Sequence, residues 1–194
     1  MGLDMYLDRC DRRAYGFKDL DIDEVKENKP ALYEDLKPYL HKRGSEYYSW
    51  ESIFEDVGYW RKANAIHKWF VDNVQNGVDD CNYYEVSKEQ LEDLLEVCIK
   101  VRDASKLVKG WVKWVKNGER YANGHWCTCM EEGEYIENPD VAEELLPTQD
   151  GFFFGSTNYD QWYMEDVVDT IDILTKVLET TDFDREMVVY RSSW

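Results

Sequence analysis

The stretch Gly58–Gly77, GYWRKANAIHKWFVDNVQNG, carries the strongest helical pattern in the chain and sets the expectation for the fold. On a 3.6-residue wheel, Trp60, Ala63, Ile66, His67, Phe70, Val71 and Val74 fall on one arc of about 140°, with Arg61, Lys68 and Asp72 opposite. The spacing predicts an amphipathic helix with Asp56 as its N-cap and Gly77 just past its end. Trp69 falls on the polar side beside Lys62 and Asn73, so this helix is expected to be buried on more than one face.

Outward from that stretch, composition limits the rest. A chain of 194 residues supplies one well-formed core, and 43% hydrophobic with 15% aromatic residues exclude a disordered chain. A formal charge of −18 argues against direct nucleic-acid binding and against anionic membranes; it permits a basic protein as partner and equally fits a protein that is merely soluble. No apolar run reaches the roughly 18 residues of a membrane span. The opening MGLDMYLDRCDRR has no apolar core after a basic stretch, so no secretory signal is expected. Five cysteines, an odd count, then read as reduced thiols in a cytoplasm.

Residues 2–9 alternate, with Leu3, Met5 and Leu7 on one side, and EMVVYRSSW at the other end also reads as a strand. Pairing of these terminal strands gives a small antiparallel sheet. Elsewhere helices dominate the expectation. Pro30 opens a short one, and Ser87 with Gln90 forms a capping box before Leu91, Leu94, Leu95, Cys98 and Val101. Leu107 to Val115 reads as a further helix interrupted by Gly110, and His41–Trp50 as an irregular aromatic segment whose end, Trp50 to Phe54, turns helically. GFFFGS, residues 151–156, reads as a buried strand, and Thr157 with Asp160 as a capping box opening a helix with Tyr163, Met164, Val167, Val168, Ile171, Leu174 and Leu178 on its apolar stripe. The expected fold is a single α+β domain over 1–194, predominantly helical, with a small antiparallel sheet that includes the terminal strands.

Four sets of residues carry possible chemistry. His67 is a candidate proton donor or acceptor. With Trp60, Arg61, Lys62, Asn64, Phe153 and Phe154 it would form a pocket for a nucleotide-like anion, in a small-molecule binding protein or an enzyme. A histidine in an apolar stripe is more often a satisfied core residue, and GFFFGS more often a core strand. His125, Cys127 and Cys129 are soft ligands at alternate positions, a candidate zinc set that still needs a fourth ligand. Glu165, Asp169 and Asp172 stand at i, i+4 and i+7, and Glu131, Glu132 and Glu134 begin a second acidic block; together they are a candidate acidic interaction surface, or simply solvated faces. No phosphate-binding loop, zinc-protease helix or serine-nucleophile elbow is present, so a non-enzymatic role is expected.

MGLDMYL at the start, GYWRKANAIHKWFVDNVQNGVDDC in the centre, LLPTQDGFFFGST and the closing YRSSW resemble a family of small acidic proteins encoded by bacteriophages and prophages. The resemblance touches both ends and the centre but brings no catalytic or binding residues with it. It implies an accessory protein of unknown function in the cytoplasm of a bacterial host, binding and modulating a host protein, with an anti-defence role as one form. A structural, virion-associated oligomer is the other role that an aromatic surplus of this kind would serve.

Overall fold

Alternation marks the first strand: Leu3, Met5 and Leu7 have no exposed surface, Leu3 just before β1 (Asp4–Asp11) and the other two within it. The computed structural model describes residues 2–113, 119–151 and 153–194. β1 pairs antiparallel with the last strand, β10 (Glu186–Ser193), over its whole length, from Asp4 opposite Ser193 to Asp11 opposite Glu186. On its other edge β1 pairs with β4 (Glu55–Arg61), and β10 pairs with the short β5 (Tyr84–Val86). The sheet order is β4-β1-β10-β5.

Both faces of this sheet are covered, which is why β10 reads as an unbroken apolar run, MVVY, instead of alternating. Met5, Leu7, Trp60, Val188 and Tyr190 belong to the larger core, together with α3 (Asn64–Asn73), α4 (Lys88–Ala104) and α6 (Gln161–Thr180). Cys10, Met187 and Val189 belong to a smaller core with α1 (Ile22–Asn28), α2 (Pro30–Leu36) and the loop residues Ile53 and Phe54. On that second side Asp8, fully buried, lies directly opposite Asp56 of β4. Like charges so paired repel. Arg43, from β2 (His41–Gly44), resolves the conflict by donating to both carboxylates, and Arg191 adds a longer contact to Asp8 at 3.4 Å.

Several expectations need correction. The protein is 39% helix and 30% strand with several small antiparallel sheets, so it is α+β without being predominantly helical. Gly58–Gly77 is not one helix. Its first residues extend β4, Lys62 takes a left-handed φ of 61°, and only then does α3 begin. Asp56 therefore lies in a strand and caps nothing, whereas Gly77 does sit beyond the helix end, where its N–H reaches the Val71 carbonyl at 2.8 Å. The aromatic segment after His41 is a hairpin, β2 with β3 (Ser49–Ser52), and no helical turn follows Trp50.

Leu107–Lys113 is a strand, β6, paired with β9 (Met130–Ile136); Trp114 and Val115 lie outside the described residues. Between these two strands β7 (Glu119–Ala122) and β8 (His125–Thr128) pair as a hairpin. The GFFFGS segment is a turn, with Phe153 at a φ of 63° and Phe152 outside the described residues. A short α5 (Asp140–Leu145) follows Pro139, and the expected capping box of α4 is complete. At α6 the cap is Asp160 itself, which accepts from Trp162 and Tyr163.

Gly58 permits the closest approach between sheet and helix. A Cβ built there would lie 2.7 Å from Cγ2 of Ile173 on α6 and 3.2 Å from Cβ of Leu7 on β1. Beside it the β1–β4 register slips by one residue, between Leu7 and Asp8. Gly58→Val should therefore destabilise the protein by about 1–3 kcal/mol, as overpacked cores do, read as a lower midpoint in urea unfolding.

Candidate interaction surface

The residues expected to form a pocket around the central helix are mostly spent on packing. Trp60 is buried and donates its Nε1–H to Thr170 of α6 at 2.9 Å. Asn64, also buried, pins the 148–156 loop: its Nδ2 donates to the carbonyls of Phe154 and Ser156, and its Oδ1 accepts from the Gln149 N–H. Phe154 is buried with its ring edge-on to His67, whereas Phe153 turns outward and is half exposed. Arg61 is exposed at the end of β4, and Lys62 sits in the link that follows.

His67 has partners that its own helix does not reveal. Its Nδ1 lies 2.8 Å from the Tyr190 hydroxyl of β10, and its Nε2 lies 3.1 Å from Oδ1 of Asp79. Burial holds the imidazole pKa below its ordinary value, against the opposing pull of Asp79, so the ring is neutral near pH 7. A carboxylate only accepts, so Nε2 carries the proton and gives it to Asp79. Nδ1 then takes the hydrogen of Tyr190. Tyr190 stacks on Phe70 at 3.9 Å between centroids, and its pKa is pushed well above the usual value, first by burial and then by Asp79. The indole of Trp194 also donates to Asp79, at 3.2 Å. His67 has no exposed surface, and the row Tyr190–His67–Asp79–Trp194 fastens the last strand to α3.

The candidate zinc residues lie in the β7–β8 hairpin and the link beyond it. His125 and Cys127 occupy alternate positions of β8, and Cys129 lies just past the strand, its thiol 3.9 Å from the Cys127 carbonyl. Among the described residues no group of three His, Cys, Asp or Glu is placed to hold a metal ion.

The two acidic rows, by contrast, come together. Glu165 and Asp169 stand on the exposed face of α6 with Val168 between them, itself 41% exposed. Glu132 and Glu134 stand on one face of β9, while strand alternation sends Glu131 to the other. A groove of about 450 Å³ runs between these elements, lined by Leu107, Met164, Val168, Glu134, Glu165 and Asp169. It shares Glu134 and Gln161 with a second groove of about 630 Å³, where Trp111, Glu132 and Lys109 contribute. Asp172 lies one turn further along α6 and lines neither groove.

Local geometry explains why the rows meet. Gly110 lies opposite Gly133 in the β6–β9 ladder, leaving bare backbone between the strands. A Cβ on Gly133 would fall 2.6 Å from Oε1 of Gln161 and 2.4 Å from Cγ2 of Val112. Because it is absent, Gln161 at the start of α6 reaches in and accepts the Glu134 N–H at 2.8 Å. Trp162 adds a hydrogen bond to the Lys113 carbonyl at 3.3 Å. Among the described residues none of Glu132, Glu134, Glu165 and Asp169 is drawn into an ion pair within 4.0 Å, and all four are exposed.

The buried histidine makes a pH prediction. Its folded-state pKa lies below the unfolded value of about 6.5, so the unfolded chain takes up the proton first. His67 thus supports the fold fully above about pH 6.5 and loses that support as pH falls toward its folded pKa, at up to about 1.4 kcal/mol per unit. Urea unfolding at pH 7 and pH 5 should show that loss, and His67→Gln, which cannot titrate, should flatten it while lowering stability at pH 7.

No helix of the described residues is long and apolar enough to cross a membrane. Comparison with protein-family models, with curated proteins and with solved structures gives no match to this chain.

Proposed function

We propose that this protein is a non-enzymatic binding protein whose acidic groove receives a basic, amphipathic segment of a partner protein. The observation that carries this reading is the convergence of Glu134, Glu165 and Asp169, from two distant parts of the chain, around an open groove floored by Leu107, Met164 and Val168. Carboxylates along both walls suit lysine or arginine side chains, and the apolar floor suits the other face of the same segment. Trp111, 67% exposed at the adjoining groove, supplies the kind of aromatic anchor that dominates binding energy in many interfaces. The net charge of −18 adds long-range attraction for a basic partner. In this reading the chain is an accessory protein of phage type that acts in a bacterial cytoplasm by occupying a basic surface of a host protein.

A labelled amphipathic peptide rich in lysine and leucine tests this by fluorescence anisotropy. Binding should weaken steeply as salt rises from about 0.1 M to 1 M, as the screening length shortens from about 10 Å to about 3 Å. The combined variant Glu134→Gln, Glu165→Gln, Asp169→Asn should bind at least about tenfold more weakly, a loss of about 1.4 kcal/mol. Unchanged affinity in that variant, or binding insensitive to salt, would remove the groove from the account.

A further inference from the structure

Trp111 leaves most of its indole in water, although the next residue of β6, Val112, is buried. Among the described residues no side-chain hydrogen bond, ring contact or cation engages that indole. The β6–β9 register sets what surrounds it. Trp111 lies opposite Glu132, and Lys109 lies opposite Glu134. Residues two apart on a strand share a face, and so do residues directly opposite in an antiparallel pair. Lys109, Trp111, Glu132 and Glu134 therefore stand together, and all four are exposed. Gly110 and Gly133 separate the two pairs, so bare backbone floors the groove of about 630 Å³ between them.

The charges on this face are uncommitted. Among the described residues none of Lys109, Glu132 and Glu134 forms an ion pair within 4.0 Å. Lys109 still offsets part of the Glu134 charge, because it stands directly across from it. Glu132 has the indole across from it instead, and no cation. Opposite Cβ atoms in such a pair lie about 5 Å apart, and a cation is drawn to a ring face from within about 6 Å. One cation can thus meet the Trp111 ring and the Glu132 carboxylate together.

We propose that the Trp111 end of the trough is an arginine-selective subsite, where an arginine of the partner stacks on the indole and forks onto Glu132. The subsite rests on the groove being a docking surface for a basic segment, and it adds the residue that segment must carry. Shape selects guanidinium over ammonium. A guanidinium is planar and weakly hydrated, so it lies flat on an indole while its edge donates two N–H groups to one carboxylate. An ammonium is a compact, strongly hydrated point charge that must shed more water and has no fork to offer. Along β6 the indole lies four residues, roughly 13 Å, from Leu107 at the apolar floor. In a helical segment, an arginine seated on Trp111 therefore lies about nine residues from the apolar residue seated on Leu107.

Two labelled amphipathic peptides test the subsite, identical except that one carries lysine and the other arginine at every basic position. The wild-type protein should bind the arginine peptide at least about fivefold more tightly at equal ionic strength. Trp111→Leu and Glu132→Gln should each bring that ratio below about two, chiefly by weakening the arginine peptide. Trp111→Tyr, which keeps an aromatic face, should hold the ratio above about two. Both residues are exposed, and circular dichroism checks that each variant keeps its fold. Equal affinity of the wild-type protein for the two peptides overturns the subsite and leaves the groove in place. A preference that survives Trp111→Leu undiminished also overturns it. Failure of both peptides to bind removes the groove, and the subsite with it.

Discussion

Pairing of residues 4–11 with residues 186–193 is the constraint on which the other elements depend. It closes a loop of nearly the whole chain, and the length-dependent part of that entropy is about 5 kcal/mol, since the cost grows only with the logarithm of length. Burial on both faces of the two strands offsets it. Met5, Leu7, Val188 and Tyr190 fill the larger core, and Cys10, Met187 and Val189 the smaller. β4 and β5 then add at the outer edges, and each brings a helix behind it: α3 follows β4, and α4 follows β5. The Tyr190–His67–Asp79 row fastens this frame to α3 from within.

The polar groups inside the frame are paired in ways that favour one register. Asp8 and Asp56 face each other across β1 and β4, which is tolerable only while Arg43 bridges them. A slip of β1 by one residue would move Asp8 to the other face, and a slip of β4 would do the same to Asp56, leaving the guanidinium without one of its carboxylates. His67 works similarly, because its two ring nitrogens are satisfied only by a residue of the last strand and one of the loop after α3. These contacts specify the arrangement more than they stabilise it, since buried ion pairs gain little over apolar packing.

Where the sequence was readable, a local rule and the tertiary fold agreed. The alternation of Leu3, Met5 and Leu7, the Ser87–Gln90 box and the long apolar stripe of α6 all announce their elements, though Val168 on that stripe points outward. Misreadings came where tertiary pairing overrode a helical period. Tyr59–Trp60–Arg61 continues the wheel of α3 by coincidence, yet β1 recruits it as a strand, and Lys62 breaks the chain direction. Leu107–Lys113 has the apolar content of a helix, and only its pairing with β9, with Gly110 opposite Gly133, makes it a strand. Both acidic rows were visible as residues, but their meeting was not, because it depends on a missing Cβ at Gly133 and the reach of Gln161. Nothing near His67 in sequence pointed to Tyr190.

The groove between α6 and β9 is the central functional claim, and mapping amide chemical shifts on the labelled protein during titration with a lysine-rich amphipathic peptide tests it most directly. The account predicts that the shifts concentrate at Leu107, Trp111, Glu134, Glu165, Val168 and Asp169, on the two walls and the floor of one continuous trough. Shifts centred instead on the aromatic hairpin around Tyr47 and Tyr48, or spread evenly over the acidic surface, would contradict it.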